Sequence, residues 1–155
     1  MEFARRHSRF WWAGAAVALL LAPLARTLAR DATIEELKGR VSNVSVADRP
    51  MLCIQISERQ VDAADQLYVA GDSEKAQAAL VDVTAFSELA RDYAIQSHKH
   101  EKQSEIAIRK MVRKLASLKH AVTVEDQKQI QDAIDHLQRI RDDLLIAMFP
   151  KGLKK

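Results

Sequence analysis

Between Asp72 and His120 the chain contains no glycine and no proline, the two residues that most often stop or bend a helix. A stretch of that length without a breaker reads as one long helix. Turn signals at both of its ends allow a neighbouring helix to fold back along each half. The expected fold is therefore all-α: two antiparallel helical hairpins sharing one long central helix (72–120), as an extended bundle. A break near Ser97 would give the alternative, a compact four-helix bundle. The shortage of aromatic residues (5%) and the presence of only four Gly and three Pro also favour helices packed through Ala, Leu, Ile and Val over a sandwich or barrel.

The local signals are consistent with that outline. Thr33 and Glu36 have capping-box spacing for a short helix through Leu37, ended by Gly39. The segment from Val41 to Val46 alternates polar and apolar residues but has no partner strand, which predicts extended or irregular chain. Asp48 and Pro50 mark a helix start. Ile54, Ser57, Val61, Ala64 and Tyr68 then share one helix face. Gly71 supplies a left-handed stop, and Asp72 can cap the next helix. Ala79, Val83, Phe86, Ala90 and Tyr93 carry an apolar seam that vanishes from Gln96 to Glu105. It returns at Ile106, Ile108, Met111, Leu115 and Leu118. Thr123 with Asp126 starts a last helix through Ile130, Ile134, Leu137, Ile140 and Leu144, stopped by Pro150.

Ala64, Gly71, Asp72, Ala76 and Leu80 stand at the spacing of the small and large packing positions of a tetratricopeptide unit, and over about 20 residues the first hairpin resembles one degenerate copy of that repeat. The second helix overruns the length such a repeat allows, and no second copy occurs. The resemblance is thus one of helical-hairpin packing and not of family membership.

Hairpin geometry fixes expected partners, because antiparallel helices advance equally in opposite directions. Around Gly71, facing residues should have numbers summing to about 143, which sets Ser57 against Phe86 and Ile54 against Leu89. Around Ala121 to Thr123 the sum is about 244. That sets Lys119 against Glu125, Arg109 against Asp135, Glu105 against Arg139 and Lys102 against Asp142. Residues 99–119 hold seven Lys or Arg against two Glu, a local +5. The acidic last helix is expected to neutralise most of it.

The chain has 155 residues and a formal net charge of +3. Residues 1–30 contribute five Arg against one Glu, or +4, so residues 31–155 carry −1. A nearly neutral body argues against binding duplex phosphates, and no nucleic-acid partner is expected. Met1 to Phe10 is basic, and Trp11 to Ala25 is apolar but interrupted by Gly14 and Pro23. Thr27 and Ala29 suit a cleavage site. Residues 1–29 read as a signal peptide, with an uncleaved N-terminal anchor as the alternative. The expected location is periplasmic or secreted. The remaining divisions are a short helix and irregular linker over 30–47, a helical domain over 48–149 and a basic tail over 150–155.

Cys53 is the only cysteine, which excludes an intramolecular disulfide and any multi-cysteine metal site. It reads as a small buried core residue, with an intermolecular disulfide as the alternative. His98, Glu101 and Glu105 share a helix face and form the one candidate metal site, opposite Asp142 or Asp143. His136 is expected to pair with Asp132 one turn earlier. Clustered glycines for a phosphate loop, HExxH, Gly-x-Ser-x-Gly and Ser-x-x-Lys are all missing from the sequence, so neither catalysis nor a cofactor is expected. These observations lead to an exported, non-catalytic helical protein acting through a protein partner or homo-oligomerisation. Two alternatives are a periplasmic metal or stress sensor built on the polar middle and a holdase-type chaperone using exposed Met and Leu ends.

Overall fold

The structure is a computed structural model that describes residues 32–150. The expected signal peptide (1–29) and the tail beyond Pro150 lie outside the described residues. Within them the chain is all-helical, with α1 (Ile34–Arg40), α2 (Arg49–Val69), α3 (Ser73–Ser97), α4 (Glu101–Lys119) and α5 (Val124–Met148). No helix among the described residues is long and apolar enough to cross a membrane.

Most helix ends arise from local chemistry. Thr33 and Glu36 complete the capping box of α1, which runs just past Gly39. Residues 41–47 are irregular, mostly turns and a bend, the irregular chain expected for a lone alternating segment. Pro50 sits in the first turn of α2, where a missing N–H leaves nothing unsatisfied. Asp48 precedes that helix without capping it, because its carboxylate accepts from the Ser45 hydroxyl at 2.6 Å. Gly71 takes a φ of 78° to turn the chain from α2, a conformation that favours glycine. The Asp72 side chain then accepts from the Lys75 amide to cap α3.

The expected long helix 72–120 does not form, and the alternative break near Ser97 does. α3 ends at Ser97 and α4 begins at Glu101. His98 (φ 53°) and His100 (φ 63°) between them are both left-handed. Ser97 Oγ donates to the Tyr93 carbonyl at 2.7 Å, turning back on the last turn of α3. Two non-glycine left-handed residues cost about 1–2 kcal/mol each. Burying one large aliphatic side chain returns about 1.5–3 kcal/mol, and the reversal of the chain lets the seams of α2–α3 and α4–α5 bury one another. A single core of buried residues accordingly draws on all four long helices, from Ile54 and Val83 to Ile108 and Leu137. Tertiary burial outweighs the local preference for a continuous helix.

Most buried positions recur every seven residues, with Ala79, Glu105, Ala107 and Ile134 beside them. On α3 they are Ala76, Val83 and Ala90, interleaved with Leu80, Ser87 and Ala94. On α4 they are Ser104, Met111 and Leu118, with Ile108 and Leu115. On α5 they are Asp126, Ala133 and Ile140, with Ile130, Leu137 and Leu144. Such a repeat gives knobs-into-holes packing between helices near-aligned with one another. α2 packs against α3 and α4, and α5 packs against α3 and α4. Along the α2–α3 seam Ser87 Oγ donates to Ser57 Oγ at 3.2 Å and Gln60 Nε2 to Asp82 at 2.7 Å. Both pairs lie within one residue of the expected register. α3 and α5 run in the same direction, as Ser73 meets Asp126, His136 meets Glu88 and Arg91 meets Asp143.

α1 lies outside this bundle. Leu37 is buried in a second small cluster with Leu52 and Ile56, joined by Val44 and Phe86. Lys38 reaches Asp82 on α3 at 2.7 Å and stands over the Phe86 ring at 5.7 Å. Part of the expected linker over 30–47 is therefore packed against the helical body.

Leu137 is fully buried at the centre of α5, whereas Val81 on α3 is 67% exposed. Leu137→Ala is expected to lower the unfolding free energy by about 2–5 kcal/mol and Val81→Ala by less than about 0.5 kcal/mol, measured by urea denaturation followed by circular dichroism.

Candidate functional site

The polar middle of the chain, the one candidate metal site in the sequence, is the turn between α3 and α4 and the first turns of α4. The left-handed backbone at His98 points its imidazole into solvent, with 86% of the side chain exposed. Its Nδ1 lies 3.8 Å from Glu101 Oε1. Glu105 lies one turn further on and is buried against α5, where Arg141 Nε donates to its Oε1 at 2.8 Å and Arg109 stands 3.7 Å from its Oε2. Two of the three candidate ligands are thus near each other, and the third is held by guanidinium groups. Among the described residues no three His, Cys, Asp or Glu side chains are grouped to hold a metal ion. Asp143, expected opposite this cluster, instead accepts from Arg91 Nη1 at 2.8 Å.

The charge register expected for the second hairpin is not the one observed. Glu105 takes Arg141 in place of Arg139, and Lys119 Nζ donates to Gln131 at 2.7 Å in place of Glu125. Asp135 accepts from Gln131 on its own helix, and Arg109 turns back to Glu105. His136 meets Glu88 on α3 at 2.6 Å, and Asp132 pairs with Lys128. The physical reason is helix rotation. Apolar burial orients α4 so that Lys102, Lys110 and Arg113 point away from α5, and exposed ion pairs are too weak to reorient it.

The consequence is a basic face on α4 whose outward cations stay unpaired, with Lys110 and Lys114 at its edge bordering a hollow that Glu58 and Asp62 of α2 also line. Lys99, Lys102, Lys110 and Arg113 are exposed and make no ion pair among the described residues. Lys114 at the edge of this face pairs with Asp62 of α2. Residues 32–150 hold sixteen Lys or Arg against nineteen Asp or Glu, a net of −3; with +5 on 99–119, the remainder holds −8. Positive charge is concentrated on one helix of an otherwise acidic body. The sequence displayed the local excess, but only the rotation of α4 shows that it stays unneutralised.

A second polar feature is structural. Asp126, only 6% exposed, sits in the first turn of α5. It accepts from Ser73 Oγ at 3.0 Å, Thr123 Oγ1 at 2.9 Å and Gln77 Nε2 at 3.3 Å, tying the starts of α3 and α5 together. Burial pushes its pKa up, but the three hydrogen bonds outweigh that effect and hold it below the ordinary carboxylate range. Thr123 is thereby drawn to Asp126 and leaves the helix backbone uncapped. The nearby Tyr68 hydroxyl is buried without a hydrogen-bond partner, and desolvation followed by the Asp126 charge raises its pKa.

Cys53 is fully buried in the main core, with its pKa raised to about 11 by desolvation, slightly offset by Arg49. A buried protonated thiol is a poor nucleophile, and its side chain packs as a small apolar residue. An open hollow of about 450 Å³ lies between the 41–48 turn and α2, bordered by Arg40, Val44, Met51, Leu52 and Glu58. One of about 280 Å³ runs along α3 and α5, bordered by Val81, Lys128, Asp132 and His136. The chain matches no known protein family, no curated protein and no solved structure.

Two outcomes are expected from this geometry. Because the folded-state pKa of Asp126 is depressed, its stabilising contribution is present above the unfolded carboxyl pKa and is lost as pH falls through the lower folded value. Asp126→Ala, which removes the hydrogen bonds from Ser73, Thr123 and Gln77 to the carboxylate, should destabilise by about 1–3 kcal/mol at pH 7, with the difference from wild type shrinking in acid melts. Saturating zinc should leave the melting temperature unchanged, since Arg141 occupies Glu105. A rise abolished by His98→Ala would show that the three residues do assemble around a metal.

Proposed function

We propose that this chain is an exported, non-catalytic binding protein whose contact surface is the outward face of α4 and whose partner is an acidic protein surface. The observation that carries the reading is the unpaired basic face of Lys99, Lys102, Lys110 and Arg113 on a body otherwise rich in carboxylates. Exposed cations without internal partners contribute little to folding, and they complement an anionic surface, speeding and orienting its encounter. The acidic remainder fits a protein partner better than a long polyphosphate, which it would repel as contact widened. The sensor alternative needs Glu105 as a ligand, and Arg141 competes for that carboxylate at 2.8 Å.

The triple substitution K102A/K110A/R113A breaks no ion pair within the described residues and adds no carboxylate beside Glu58 and Asp62, and should leave the helical circular dichroism spectrum and melting temperature unchanged. Bound to a resin, the full wild-type chain should retain acidic envelope proteins at low salt and release them at about 0.5 M salt, where screening is short-ranged. The triple variant should bind them at least about tenfold more weakly. Equal capture by both proteins would remove α4 as the contact surface.

A further inference from the structure

We propose that residues 97–101 are a hinge about which two copies of this chain exchange hairpins, α3 and α4 joining into one continuous helix. This inference stands apart from the acidic-partner reading, since the outward face of α4 is not used by the exchange.

Three observations carry it. The hinge holds two left-handed residues, His98 and His100, without a glycine. Histidine enters that region more readily than most residues but still at a steric disadvantage that glycine lacks. In a right-handed helix both would relax, and the chain from Ser73 to Lys119 contains neither glycine nor proline to resist continuity. Strain of this kind in a short connection is the usual setting for domain exchange.

The second observation is where the cohesive contacts lie. The α2–α3 and α4–α5 hairpins each have their own seam, and they meet chiefly through α3 with α5 and α2 with α4, with a smaller contact of α3 with α4. Those contacts include Arg91 with Asp143, His136 with Glu88, Ser73 with Asp126 and Lys114 with Asp62. None of them depends on α3 and α4 belonging to the same copy. In the exchanged dimer, α2–α3 of one copy accepts α4–α5 of the other, and each of these contacts re-forms.

The third observation is apolar surface at the hinge end. α2 begins and α5 ends at the same end of the bundle as the turn, as the level pairings of Ser57 with Ser87 and Arg91 with Asp143 require. There Phe149 is 63% exposed and Ile146 49% exposed, with Met51 and Val46 also open to solvent. Straightening the hinge sets two such ends against each other along the joined helices. Each covers apolar side chains that the single bundle leaves in water.

The test uses the full chain carrying Arg91→Cys and Asp143→Cys with a short thiol crosslinker, Cys53 being fully buried. In the closed monomer the link forms within one chain. In the exchanged dimer it joins two chains and gives a covalent dimer on a denaturing gel. With the natural hinge the covalent dimer should increase with protein concentration. H98G/H100G, which accepts the left-handed turn and weakens a continuous helix, should raise the dimer dissociation constant at least about a hundredfold. H98A/H100A should shift the population to covalent dimer at the same helical content. A link that stays within one chain for all three hinges overturns the proposal. So does a dimer by size whose 91–143 link remains intramolecular, which signifies association through another surface.

Discussion

Mutual burial of two apolar seams forces the chain to reverse between Ser97 and Glu101, and the remaining architecture is a consequence of that reversal. Each hairpin alone covers only one side of its own seam. Once α4 turns back at His98 and His100, Val83 and Ala90 of α3, Ile108 and Leu115 of α4 and Leu137 and Ile140 of α5 enter one core. Left-handed strain at two histidines is small against burial on that scale. It is nevertheless concentrated at one point, which makes that point the weak link in the monomeric arrangement.

The heptad spacing explains how tightly the helices approach. Ala76, Ala79 and Ala90 on α3 and Ser57 and Ala64 on α2 are all buried, so that in the first hairpin small side chains alternate with Ile54, Val61, Leu80 and Val83. α4 and α5 meet through Met, Leu and Ile. Small residues leave room for the Ser57–Ser87 hydrogen bond within the core, and that polar contact fixes register as well as packing. At the opposite end of the bundle from the hinge, Asp126 has a comparable role. A buried carboxylate with three hydrogen-bond donors couples the starts of α3 and α5 in a way that apolar contacts alone would leave free to slide.

Charge is subordinate to packing in this fold. The ion pairs that form are those that helix rotation brings together, such as Arg141 with Glu105 and Arg91 with Asp143. Lys102, Lys110 and Arg113 are left exposed, with no ion pair among the described residues. Exposed charge pairs are individually weak, so they cannot dictate the rotation of a helix whose opposite face is buried. For that reason the numerical fit between Lys102 and Asp142 or Arg109 and Asp135 in the sequence did not translate into contacts. The His98, Glu101 and Glu105 cluster is divided for two reasons: the left-handed backbone of the turn leaves His98 in solvent, and the rotation of α4 turns Glu105 inward to Arg141.

Residue order was enough to establish local and near-neighbour features: the all-helical class, the capping box at Thr33 and Glu36, the starts at Pro50 and Asp72, the stops at Gly71 and Pro150, and the register of the first hairpin. Each depends on chemistry within a few residues or on a tight turn that leaves one solution. Three outcomes needed the folded chain: that the breaker-free stretch 72–120 is two helices, that α4 shows its cations outward and that Glu105 belongs to Arg141. They depend on which distant seams bury each other. No breaker residue marks the turn, because long-range burial supplies the force that bends the chain there.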